Sequence, residues 1–236
     1  MANFFPRWTN LLPLKLAVCG GVVGLGIVGV FAYYATPKAM NVGYQPAQPI
    51  PFSHKIHVDQ IGVDCRYCHS FVDVSGQSNV PSPSTCWNCH QHVQKESPKL
   101  QPLRDRFDPK HPDFGKPLRW VRVHKVPDYV QFSHSAHVNR GVSCKSCHGR
   151  VDQMETVFQD QPLSMSWCLD CHRAPEDHLR PLEEVYNMAF DAGEYLGKHP
   201  MDGADGQPLT TQKDLGLMLK EQWKIQPRDT CAICHH

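Results

Sequence analysis

Five copies of Cys-x-x-Cys-His punctuate this chain: Cys65-Cys68-His69, Cys86-Cys89-His90, Cys144-Cys147-His148, Cys168-Cys171-His172 and Cys231-Cys234-His235. Two thiols and an imidazole at this spacing are the attachment signature of c-type haem. The thiols add across the two vinyl groups of a porphyrin while the adjacent imidazole reaches the iron as its proximal ligand. Five covalently attached haem c groups are therefore expected, and the fold must be built to hold them.

Paired Cys-x-x-Cys motifs also hold zinc, and the 17 residues between Cys68 and Cys86 and the 20 between Cys147 and Cys168 come near zinc-ribbon spacing. A ribbon, however, places no demand on the residue after its second Cys, whereas here that residue is His every time. Ten of the eleven cysteines lie in the motifs, and only Cys19 is left over, so no pair remains for a structural disulfide. Cys19 sits inside an apolar run and reads as a small buried-type hydrophobe; Leu16-Ala17-Val18-Cys19 lacks the small residue that lipid attachment would want before the Cys.

Residues 16–35 carry no charge, and at about 1.5 Å per residue they suffice to cross a hydrocarbon core of roughly 30 Å. Arg7 and Lys15 precede the run, so the positive flank stays cytoplasmic and the chain beyond Ala35 lies on the outer, periplasmic side of a bacterial inner membrane. The stretch from Phe31 to Thr36 lacks an Ala-x-Ala-like cleavage site, which favours an uncleaved signal anchor. Small residues four apart, Ala17 with Gly21 and Gly20 with Gly24, would let another transmembrane helix approach closely.

The outer part is duplicated. Phe52-Ser53-His54 with His57 and Val58 ahead of Cys65 returns 80 residues later as Phe132-Ser133-His134 with His137 and Val138 ahead of Cys144. The organisation expected is a cytoplasmic N-terminus (1–15), the anchor (16–35), a first two-haem module (36–92), a linker (93–130), a second two-haem module (131–178) and a C-terminal segment with the fifth haem (179–236). Six prolines between Pro98 and Pro127 forbid a long helix in the linker. Moderate helical patterns occur over Leu182–Leu196 and Leu215–Trp223. Long apolar periodic segments are scarce beyond the anchor, so the expected fold class is mainly α and irregular: short helices and loops around porphyrins, with little sheet. No basic stripe suggests a nucleic-acid partner.

Ten His remain beyond the five proximal ones: His54, His57, His92, His111, His124, His134, His137, His178, His199 and His236. A distal imidazole closes the iron and suits electron transfer, whereas an open position invites substrate chemistry. The two His of each repeat, at i and i+3, project from neighbouring positions of one turn and can serve two different haems. His124, ten residues before His134 in a segment that otherwise reads as linker, is the fifth distal candidate; His92, His178 and His236 are reserves, and Met165, Met188 or Met201 could supply one axial thioether.

Phe-Ser-His-x-x-His before Cys-x-x-Cys-His resembles the cytochrome c3 and c7 superfamily. That resemblance implies His54 for the haem of His69 and His134 for that of His148, with His57 and His137 capping two others. The anchor, the five motifs and the Val126–His134 block together resemble the membrane-anchored pentahaem cytochrome c subunit of alternative complex III. The resemblance implies no catalysis by the chain itself and no catalytic residue. It implies an electron-transfer subunit with an iron-sulfur subunit and NrfD-like polytopic quinol-binding subunits as membrane partners, passing electrons to a monohaem cytochrome c or another soluble carrier. A stand-alone quinol dehydrogenase of the NapC/NrfH kind also has one helix and several c-haems, against which stand the fifth motif and the duplication. A multihaem reductase would want an open iron, and no Cys-x-x-Cys-Lys motif is present.

Overall fold

The computed structural model describes residues 6–35 and 40–235. The reserve ligand His236 and Thr36 at the end of the anchor lie outside them. A 3-10 turn, Arg7–Leu11, runs into α1 (Leu12–Tyr34), whose Pro13 occupies the first turn. Proline there has its φ already set for a helix and gives up an amide that would lack a partner anyway. The helix therefore begins four residues before the expected anchor and takes in Lys15. None of its residues is buried. The stretch Trp8–Tyr34, whose most apolar 18-residue window has a mean hydropathy of 2.2, is the one described helix long and apolar enough to cross a membrane; a helix that is apolar all round has no other use for its surface unless protein covers it.

Beyond α1 come short helices and loops: a π-helical turn Lys55–Gln60, then α2 (Cys65–Cys68), α3 (Pro83–His90), α4 (Gln101–Arg104), α5 (His134–Val138), α6 (Cys144–His148), α7 (Met165–Arg173), α8 (Ala192–Lys198), α9 (Gln212–Gln222) and α10 (Cys231–Cys234). Among the described residues, β structure amounts to isolated bridges, Val130 with His235, Val142 with Leu179 and Asp202 with Pro208. The chain is thus helical and irregular, as its scarcity of long apolar periodic segments implied.

Segment 93–130 is more than a spacer. Leu103 and Leu118 are buried with Ile50, and Trp87 of the second motif stacks on Phe107 at 4.6 Å and 7°. Gln48 fastens the far end, its amide donating to the Val121 carbonyl while its carbonyl accepts from the Val121 N–H, each at 2.9 Å. The linker is therefore a pad laid against the second motif.

The largest apolar cluster lies in the C-terminal segment, where Leu179, Phe190, Ala192, Leu196, Leu215 and Leu219 come together. The helix expected over Leu182–Leu196 breaks in two, a 3-10 turn Leu182–Glu184 and α8. Asn187 donates to Glu184 and accepts from Ala189 N–H, and Asp191 caps α8 by accepting from Glu194 N–H. Such local side-chain bonds compete with helix continuation and favour a new start. Helix α9 begins earlier than its apolar pattern, at Gln212, because Thr211 and Asp214 form a capping box.

Helix α9 packs on the 3-10 turn Pro175–Asp177 through Gly216, where an added Cβ would collide with the Glu176 carbonyl. Gly216→Ala should lower the thermal midpoint of the haem-loaded protein, at a cost of about 1–3 kcal/mol. Gly197→Ala in α8, whose Cβ meets nothing within 4 Å, should leave the midpoint equal or slightly raised; equal midpoints for the two variants would contradict the packing.

Candidate functional site

Each motif lies on a short helix. In the first and third, the residue before the first Cys caps the turn: Asp64 accepts from Arg66 N–H at 2.8 Å and Ser143 from Lys145 N–H at 3.3 Å. In the second and fourth, the helix starts three residues before the first Cys, at Pro83 after Ser82 and at Met165 after Ser164, the latter accepting from Trp167 N–H. The helical turn stacks the two thiols of a motif on one side, since positions three apart are neighbours. All eleven cysteines are free, and among the described residues no three His, Cys, Asp or Glu side chains gather as a bare metal ion requires.

The duplicated His pairs are reproduced in space. Phe52 stacks on His57 at 4.5 Å and 24° and meets His54 edge-on at 4.8 Å and 89°. Phe132 repeats this with His137 at 4.7 Å and 27° and with His134 at 4.8 Å and 86°. His57 Nδ1 donates to the Ser53 carbonyl at 2.8 Å and His137 Nδ1 to that of Ser133 at 2.7 Å. An imidazole whose Nδ1–H is held by a carbonyl has one tautomer and one orientation, with its Nε2 lone pair free for a metal.

Both rings stand near a motif His. The His57 and His90 ring centres are 6.0 Å apart and those of His137 and His172 are 6.1 Å apart. With metal–imidazole bonds of about 2 Å and about 1 Å more from nitrogen to ring centre, two imidazoles across one metal stand roughly 6 Å apart. The motif His are held as their partners are: His69 Nδ1 donates to the Asn79 carbonyl at 2.7 Å, His90 to that of Val93 at 3.0 Å and His172 to that of Arg228 at 2.8 Å.

Between the modules the rings crowd. His134 lies nearly parallel to His148 at 6.5 Å, and His124 meets His148 edge-on at 4.2 Å. His134 Nδ1 lies 3.2 Å from the Gly76 carbonyl and 3.3 Å from the Ser78 nitrogen, donating to the one or accepting from the other according to its tautomer, so α5 is seated on the loop that follows the first motif. Burial drives His148 down to about 3, with His124 the next cause, and His54 down to about 4, with His69 next. Both are neutral imidazoles, the form a metal binds. His54 Nδ1 and His124 Nε2 are buried without a partner among the described residues.

The ring against His235 belongs to Tyr129, at 5.6 Å and 29°; the tail is fastened by Gln131 N–H donating to the Cys234 carbonyl at 2.8 Å. His111 is occupied at both nitrogens, Nδ1 accepting from Asp113 N–H and Nε2 3.8 Å from Asp105. His199 stacks on Tyr195, and His92, His178 and His199 are exposed. Met188 is buried whereas Met165 is exposed.

Burial raises the Cys65 thiol to about 11 and that of Cys147 to about 12. Thiols of different motifs lie in electrostatic reach of one another: Cys65 of Cys144, Cys68 of Cys89, Cys147 of Cys171 and Cys168, and Cys168 of Cys234. These reaches link the second motif to the first, the first to the third, the third to the fourth and the fourth to the fifth. Phe71, Val74, Val80 and Phe132, near the motif and His residues, are exposed on the polypeptide, and an open hollow of about 650 Å³ borders the third motif at Lys145, Gly149, Met154 and Phe158.

No protein-family model matches the chain. It is 32% identical over 189 residues, 70% of this chain and 87% of the relative, to the multihaem cytochrome c subunit of menaquinone reductase from Nitratidesulfovibrio vulgaris (strain Hildenborough). The chain belongs to this family of multihaem cytochrome c subunits. Covalent haem c is accordingly its cofactor, and the residues fit it: free paired thiols, anchored imidazoles, trans ring spacings, unpartnered buried nitrogens and apolar side chains left bare. Bound haem would supply one-electron iron chemistry, while the chain's own part is to attach, orient and shield. The carbonyls of Asn79, Val93 and Arg228, which orient the motif His, carry no sequence signal, because a backbone carbonyl is common to every residue.

Replacing His57 with Ala should leave the haem at Cys86 and Cys89 attached but turn its iron high-spin, read by optical and electron paramagnetic resonance spectra. His111→Ala should leave the spectra unchanged; an unaltered spectrum for the His57 variant would remove it from the ligands.

Proposed function

We propose that the chain carries five haems and is the electron-transfer cytochrome of a quinol-linked membrane complex of the alternative complex III type, anchored by α1 with its haem domain on the periplasmic side. The observation that carries the reading is the doubled Phe-Ser-His-x-x-His unit, each copy setting a distal imidazole about 6 Å from a motif imidazole. Closed irons of this kind pass electrons and leave no position for substrate. The distal set is His54 for the iron of His69, His57 for that of His90, His134 for that of His148 and His137 for that of His172. His124 is the fifth candidate, seated at the crowded junction beside His148. The contiguous succession of motif thiols supports a relay from motif to motif. Its outer partners would be an iron-sulfur subunit and NrfD-like quinol-binding subunits on one side and a monohaem cytochrome c or another soluble carrier on the other.

The relative is named a menaquinone reductase subunit, which favours a second reading of the same relay, with electrons running towards menaquinone. A haem chain conducts either way, and the sign of the overall potential difference chooses.

Mild solubilisation of the native membrane should yield this chain with an intact mass raised by five haems and with iron-sulfur and polytopic subunits co-migrating. Rapid haem reduction by menaquinol then supports quinol oxidation, whereas oxidation of prereduced haems by menaquinone supports the second reading. A chain that travels alone, or with one soluble reductase, would be of the NapC/NrfH kind.

A further inference from the structure

Arg180 lies between the 3-10 turns of the C-terminal segment and is 8% exposed. Its backbone N–H donates to the Gly141 carbonyl at 3.0 Å, and Gly141 (φ +79°) leaves no room there for a side chain. The guanidinium stands 4.7 Å over the Phe190 ring and Nη1 donates to the Asn187 carbonyl at 3.0 Å. Its Nε is buried with no partner among the described residues, and so is the Tyr186 hydroxyl. Both groups are in electrostatic reach of Cys144, and Tyr186 also of Asp64 and Arg66, which flank Cys65.

Three other guanidiniums are neutralised on the spot. Arg150 forks onto Asp152 at 2.9 and 2.7 Å, Arg66 onto Asp64 at 2.9 Å twice, and Arg106 pairs with Asp113 at 3.3 Å. Arg180 has no such pair among the described residues, with Glu184 only in electrostatic reach. A guanidinium keeps its charge in proteins. A buried charge with an idle donor is costly unless an anionic acceptor meets it, and haem brings carboxylates.

We propose that Arg180, through its idle Nε and together with the Tyr186 hydroxyl, binds an anionic haem group at the junction of the first and third motifs and holds the reduction potential there high. Charge sets the sign: reduction adds an electron, and a fixed buried cation stabilises the form that carries it. This rests on the reading that Cys65 and Cys144 carry haem.

The test is a reductive titration of the purified, haem-loaded full chain, after an intact-mass count of its haems. Arg180→Gln and Arg180→Met should move one or two of the fitted transitions to lower potential by a tenfold or greater fall in the reduced-to-oxidised ratio, about 59 mV for a one-electron couple, while the others stay. Arg180→Lys should restore most of the shift, and Tyr186→Phe, which deletes one hydroxyl, should give a smaller shift of the same sign even if the neutral variants fail to accumulate. Superimposable titrations, a rise, or a uniform movement of every transition would overturn the proposal while the haem count stood. A native protein without haem on Cys65 or Cys144 would instead overturn the functional reading beneath it.

Discussion

The arrangement hangs on a hydrogen bond from imidazole Nδ1 to a backbone carbonyl. A free imidazole has two tautomers and rotates about two bonds, so a ligand left to itself offers the metal the wrong nitrogen for part of the time. Here the proton is committed at His57, His137, His69, His90 and His172, each to a main-chain oxygen. The carbonyls come from caps, bends and loops, which is why a fold with so little regular structure must still place its backbone accurately. Phe52 and Phe132 complete the restraint, each stacking on the second imidazole of its pair, His57 or His137, and meeting the first, His54 or His134, in a T-shaped contact.

The polypeptide's own cores are small and separate: one in the C-terminal segment, one where the linker pad meets the second motif, and one of Val72, Val138 and Val185 at the junction of the modules. None encloses the motifs. Porphyrins are large flat apolar bodies, and the side chains left bare near the motifs are the natural surface for them to cover. Cofactor and core are then the same material, and stability and redox function cannot be varied separately.

The motifs, the anchor and the doubled Phe-Ser-His-x-x-His unit were legible because each is set by local spacing. Their caps were legible in principle, since Asp64, Ser143 and Ser164 stand at fixed offsets from their cysteines. What stayed hidden depends on contacts between distant residues. Proline in segment 93–130 correctly ruled out a long helix, but nothing local says that Leu103 and Leu118 close over Trp87. The helical pattern from Leu182 to Leu196 was real, yet the Asn187 and Asp191 side chains outbid it for the backbone. His124 could be singled out by its position, but its contact with His148 is a product of how the two modules fold together.

The carbonyl that orients His172 belongs to Arg228, 56 residues further on. The same late segment offers the Cys234 carbonyl to Gln131 and sets Asp229 4.0 Å from Arg173. The surroundings of the fourth motif are consequently finished only by residues that leave the ribosome long after its own cysteines have done so. A chain interrupted before the tail would display a complete attachment motif whose imidazole is untethered. The orientation of the His172 imidazole is therefore fixed by a segment synthesised well after the motif that carries it.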